Sequence, residues 1–241
     1  MTKLNCFRAE QEGRLHEMRT CSEPTEKWPR GCRGSRRPWL VFIGPSPGGK
    51  AGLDEEASPR WNEPFTDPFT SPWGGGFKAS MPSLLRVLMP EATEAERPFL
   101  YAVYNLDSVQ KSRAPDVPEE RMREGVKAII SLLEQSPPRL IVPMESLSFN
   151  RFKEALREHG YDVGPNNAFL ISVPIYDNPK GAQKFHRALS GFRIAGNGAL
   201  NDSIVVRLSQ HPAHIFTAAY AERCAKAVRS LFERLAEPTS D

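Results

Sequence analysis

Cysteine is scarce, and no two cysteines stand close together. The four present, Cys6, Cys21, Cys32 and Cys224, form no CxxC pair, and neither a disulfide scaffold nor a compact zinc or cluster pattern fits such spacing. Three of them share the N-terminal segment with His16, again in no ligand-like pattern, so reduced thiols and no metal are expected. Long apolar runs are missing as well. The strongest, Trp39–Ile43 and Leu140–Val142, are a few residues long, against about 20 for a membrane span. The opening MTKLNCFRAEQEGR is charged from the start and lacks the apolar stretch of a secretory signal. A cytoplasmic protein with no membrane partner is the expectation. Charge of one sign is scarce too: the net value of +3 is compatible with nucleic acid without requiring it. Gly49-Lys50 runs into Ala51 where a P-loop needs Ser or Thr, which argues against an ATP cradle. There is no internal repeat and no low-complexity tract.

What is present is enough for one domain. Hydrophobic residues make up 39% of the 241 positions, so a real core can form. Residues 1–37 read as a polar N-terminal extension, with a short helix over Arg8 to Met18, and residues 38–241 as the folded domain. Apolar or β-branched runs at 39–44, 99–106, 139–144 and 203–209 read as strands. Helical spacing is expected over Met81 to Met89 with Pro82 in the first turn, over 118–136, over Ser148 to His159, and over Thr217 to Leu235. This alternation predicts an α/β protein, a three-layer α/β/α sandwich on a central, mainly parallel, four-stranded sheet. Such sheets bind ligands beyond the carboxyl ends of their strands. The rule draws the eye to the segments after Ile43, Leu106 and Ser209.

The first exit, Gly44-Pro45-Ser46-Pro47-Gly48-Gly49, is a stiff turn whose backbone can approach a ligand closely. It opens a long stretch to Pro82 crowded with Pro, Gly and Trp; loops of that length inside compact domains are usually functional. The second exit carries Asn105, whose amide offers a donor and an acceptor together and so can pair with one edge of a pyrimidine. An Asn ending a strand also serves as a turn former. The third exit, Ser209-Gln210-His211-Pro212-Ala213-His214-Ile215, sets two histidines around a proline. They could contact a phosphate, stabilise a developing anion, or cap the helix that follows.

Taken in order, IGPSPGG, YNLDSVQKSRAPDVPEE, PPRLIV and SQHPAHIF resemble the motifs of the uracil-DNA glycosylase superfamily. Its families share a first motif G-x-x-P-G or GQDPY and a last motif HPSPLS or HPS, and the middle segment is similar to the N-x-V-K-C-R-P-P stretch of the iron–sulfur branch. The resemblance spans roughly residues 38–235. It implies that Gly44 to Gly48, Pro45 and Pro47 included, form the water-activating and backbone-pinching loop. Phe77, in GGGFKASMPSLL, would stack on an extruded base, Asn105 would read the base edge, and His211 would donate to the base oxygen as charge develops. Ile215 would wedge into the space the base leaves, with Ser209, Gln210, Pro212 and His214 beside it on the DNA. A monomeric DNA glycosylase acting in DNA repair by base flipping, without cofactor, is what the resemblance implies.

The pattern departs from the family in two places. Ser46 stands where several branches carry a catalytic Asp or Asn, and Pro45 replaces the Glu of the iron–sulfur branch. A serine positions a water but is a poor general base; Asp54, Glu55 and Glu56 lie nearby in sequence. Lys111-Ser112-Arg113 stands where that branch has a cluster cysteine, so no cluster is expected. A catalytically silent protein that uses the same pocket for a nucleic acid or nucleotide is therefore the alternative. Two basic segments, Arg30 to Arg37 and Lys180 to Arg193, could meet phosphates or simply water. The stretch 174–202 around the second reads as an excursion that either contacts DNA or is a surface insertion.

Overall fold

The structure, a computed structural model, describes residues 12–13, 32–35, 37–45, 75–107, 117–163, 173–174, 186–187, 190–208 and 218–237. The four expected strands are all present. They are β2 (Leu40–Gly44), β3 (Tyr101–Asn105), β4 (Leu140–Pro143) and β8 (Ile204–Val206). They pair in parallel in the order β3-β2-β4-β8. Every residue of these strands is buried, because helices cover both faces, as an all-parallel arrangement requires.

The period-two alternation of the strands divides the core into two layers. Leu40, Phe42, Tyr101, Val103, Leu140, Val142, Ile204 and Val206 point to one face. There they meet α1 (Gly75–Leu88) and α4 (Ala218–Leu235). Val41, Ile43, Ala102, Tyr104, Ile141 and Val205 point to the other, against α2 (Glu119–Gln135) and α3 (Ser146–Glu158). The result is a three-layer α/β/α sandwich. In α2 the buried residues Met122, Val126, Ile129, Ile130 and Leu133 recur at helical spacing. On the first face Arg229 fastens α4 to α1: it donates to the Leu88 carbonyl and Glu91 carboxylate, each at 3.1 Å, and to Glu233 at 2.7 Å.

Two expectations are corrected. Among the described residues the sheet has six strands rather than four, because β1 (Cys32–Gly34) pairs antiparallel with β3 and β7 (Gly191–Arg193) antiparallel with β8. These edge strands are three residues long and carry Arg and Gly, so they lack the apolar run that marks a buried strand. Helix α1 begins at Gly75, which places Pro82 inside the helix instead of in its first turn. Ser80 and Met81, just ahead of that proline, are buried, and packing of this turn outweighs the proline's missing N–H.

The stretch 174–202 is more than a surface excursion. Phe192, Ile194 and Leu200 are fully buried in the α2–α3 layer, while β5 (Val173–Pro174) and β6 (His186–Arg187) pair as a separate antiparallel ribbon. The expected Arg8 to Met18 helix lies outside the described residues save for positions 12 and 13, which are helical. Among the described residues no helix is long and apolar enough to cross a membrane.

Candidate functional site

Neighbouring strands β2 and β4 send their outgoing connections to opposite faces: β2 leads to α1, β4 to α3. Crevices at such a switch point, outside the carboxyl ends, are where open parallel sheets bind ligands. The strand exits here are tied together through the backbone. Leu106 N–H donates to the Gly44 carbonyl at 2.9 Å and Asp107 N–H to the Pro45 carbonyl at 2.9 Å. On the other side Met144 N–H donates to Ile43 at 2.8 Å, and Leu208 N–H to Pro143 at 2.9 Å. The edge is thus a continuous shelf made of 44–45, 105–107, 144–145 and 207–208.

Gly44 and Asn105 meet on this shelf. A Cβ added at Gly44 would lie 2.8 Å from Asn105 Oδ1 and 2.6 Å from Met144 Cε. The Asn105 amide therefore occupies the space that any other residue at position 44 would fill. Asn105 is only 5% exposed. Its place in the alternation of β3, two residues beyond Val103, and the packing of Met144 in the first layer put it on the α1–α4 side.

Both helices of that side start near this edge. Phe232, close to the end of α4, meets Trp39 at the opposite, amino end of β2, with ring centroids 5.6 Å apart. The end of α1 is joined to the amino end of β3 through a short 3-10 turn, Arg97–Phe99. Phe77 is the third residue of α1. Of the residues singled out from sequence, Gly44, Pro45, Asn105 and the backbone of Phe77 are described. Ser46, Pro47, Gly48, Ser209, Gln210, His211, Pro212, His214 and Ile215 lie outside the described residues. The described chain leaves β8 at Leu208 and resumes at Ala218, so the segment holding His211 departs from this same edge.

Three polar groups on the shelf went unnoticed in the sequence. Asp107 is 3% exposed and its Oδ1 lies 2.6 Å from Arg121 Nη2 on α2. Glu145 precedes α3; burial pushes its carboxyl above the usual range, against the Ser148 hydroxyl and backbone, which hold it down. That hydroxyl donates to Glu145 Oε1 at 3.3 Å. Arg207, just beyond β8, donates to the Ser146 hydroxyl at 2.6 Å and lies over the Phe149 ring at 5.9 Å. The available signal was positional: each follows a strand by one or two residues. Chemically the shelf offers an amide, two carboxylates and a guanidinium around a glycine with no side chain. Among the described residues no three His, Cys, Asp or Glu side chains cluster as a metal site would require. Compared with models of known protein families and with curated proteins, the chain matches none.

Proposed function

We propose that this protein is a DNA glycosylase-like hydrolase that holds an extruded base at the carboxyl edge of the sheet and cleaves its N-glycosidic bond. DNA is the partner, a monomer in the cytoplasm is the working form, and no cofactor is needed. The observation that carries the reading is the Asn105 amide lying over Gly44 at the switch-point edge. It rests on the sequence resemblance for everything beyond that. A side-chain amide held by packing presents a donor and an acceptor in one plane, which suits the edge of a pyrimidine. Cleavage makes the sugar cationic and the leaving base anionic. Donors aimed at the base oxygen, His211 and Asn105, stabilise that anion, while Phe77 supplies a flat apolar partner for the ring. The base must first leave its stack, at a cost of a few kcal/mol.

Ser46 favours one second reading, a catalytically silent module that keeps the pocket and binds nucleic acid or a nucleotide. Incubation with single- and double-stranded oligonucleotides containing uracil, hypoxanthine or xanthine, followed by alkali, separates the two. The glycosylase reading expects strand breaks at one base, reduced roughly 100-fold or more in His211→Ala and in Asn105→Ala. Salt-sensitive binding without breaks selects the silent module, and absence of both rejects the base pocket.

A further inference from the structure

We propose that Asn197, in the turn joining β7 to β8, is a modification site. Its side-chain amide is lost by spontaneous deamidation through the Gly198 nitrogen, and the isoaspartate so formed frees the turn from Tyr161. The inference is independent of the base-pocket reading. Asn197-Gly198 is the sole Asn-Gly pair in the 241 residues. Residues 195–199 are all exposed, and glycine puts no Cβ in the path to its own nitrogen. The other described asparagines are each followed by a backbone N–H that is already bonded. Leu106 N–H donates to the Gly44 carbonyl and Asp202 N–H to that of Ile194, both at 2.9 Å. Arg151 lies inside α3, where an intrahelical bond holds its N–H. Among the described residues nothing accepts the Gly198 N–H, and nothing holds the Asn197 side-chain amide. Both reacting groups are free to meet.

The same turn is fitted closely to the core. Tyr161 is 5% exposed; its hydroxyl donates to Glu134 on α2 at 2.6 Å and accepts from the Leu200 N–H at 3.4 Å. A Cβ at Gly198 would lie 2.2 Å from that hydroxyl oxygen, so position 198 fits here only without a side chain. Leu200, two residues on, is fully buried. A main chain lengthened at position 197 displaces Gly198 and with it this contact.

In the reaction solvent base removes the Gly198 amide proton, and the nitrogen attacks the side-chain carbonyl carbon of Asn197. The new carbon–nitrogen bond closes a cyclic imide while the bond to the side-chain nitrogen breaks. That nitrogen takes up a proton and leaves as ammonia. Water then opens the imide. Opening at the side-chain carbonyl gives aspartate; opening at the main-chain carbonyl gives isoaspartate, whose main chain runs through the side-chain methylene and is one atom longer.

The test holds the full chain in mildly alkaline buffer and maps its peptides by mass spectrometry, with a synthetic peptide of residues 193–203 run beside it. Exchange of NH2 for OH at Asn197 is expected in the folded chain at a rate near that of the peptide. It should slow in mildly acidic buffer and vanish in Asn197→Gln, with Asn105, Asn150 and Asn201 unchanged throughout. An Asn197 that stays intact in the folded chain while the peptide reacts overturns the site. Ion-exchange chromatography then isolates the isoaspartyl fraction. There the Leu200 amide should exchange faster and Tm should fall, whereas Asn197→Asp, which adds the charge without the extra main-chain atom, should match wild type in both. An isoaspartyl fraction that protects Leu200 as well as wild type does overturns the release of the turn.

Discussion

Gly44 has no side chain, and the space where one would be is filled by the Asn105 amide and the Met144 methyl. Gly44→Ala must displace one of them. The expected result is a loss of about 1–3 kcal/mol in stability, typical of overpacking, together with a shifted Asn105 side-chain amide resonance in NMR. An unmoved resonance would mean that Met144 yields and the amide does not rest on the glycine. Glu145 makes a prediction of opposite character. Burial raises its folded pKa above the unfolded value, so the folded state holds the proton more tightly. Its favourable contribution is present below the ordinary glutamate range and is lost as pH rises through the folded value. Glu145→Gln lacks that loss. Its melting temperature relative to wild type should therefore climb as pH rises above the ordinary glutamate value of about 4.3, and a constant difference would contradict the burial. Asn105 could be picked out in the sequence because it ends an apolar strand. Asp107 and Glu145 could not, since an acid just past a strand looks like any loop residue until burial is known.

The joint between α2 and β3 is the tightest among the described glycines. A Cβ at Gly125 would fall 1.6 Å from the Leu106 carbonyl oxygen, a backbone atom with no room to move. Gly125→Ala should cost more than side-chain overpacking does, at least about 3 kcal/mol, read as a drop in denaturant midpoint. Because α2 also carries Arg121, the same variant should weaken the Asp107 contact. A melt equal to wild type would mean that α2 does not lie against the β3 exit. Elements with strong apolar periodicity were legible from sequence. Helix α2 was expected over 118–136 and occupies Glu119–Gln135, and the four inner strands fell where their β-branched runs were. The edge strands were not legible. Cys32–Gly34 joins the sheet through backbone pairing with a strand far away in sequence and Gly191–Arg193 through pairing with the strand that follows it, and the side chains of neither announce it. Pro82 misled for a related reason: local preference put it at a helix start, whereas burial of Ser80 and Met81 extended the helix past it.

At the scale of the whole molecule, the sandwich brings the described residues Gly44, Pro45 and Asn105 together at one end of one sheet. β2 and β3 finish there with Gly44 and Asn105, and the chain leaves β8 there towards His211. On the α1–α4 side, α1 with Phe77 near its start returns from the same edge. The parallel alternation legible in the sequence already points to these strand exits; which exits are neighbours depends on the strand order β3-β2-β4-β8, which the motifs do not reveal. The central claim is that this edge, rather than the β5–β6 ribbon or the basic segments, receives the DNA base. Hydrogen–deuterium exchange of the protein with and without a uracil-containing oligonucleotide tests it most directly. The account predicts added protection at 44–46, 75–80, 105–107 and 209–218, with the β5–β6 ribbon and the amino ends of the strands unchanged. Protection confined to residues 173–187, or to the amino edge around Trp39 and Leu100, would contradict it.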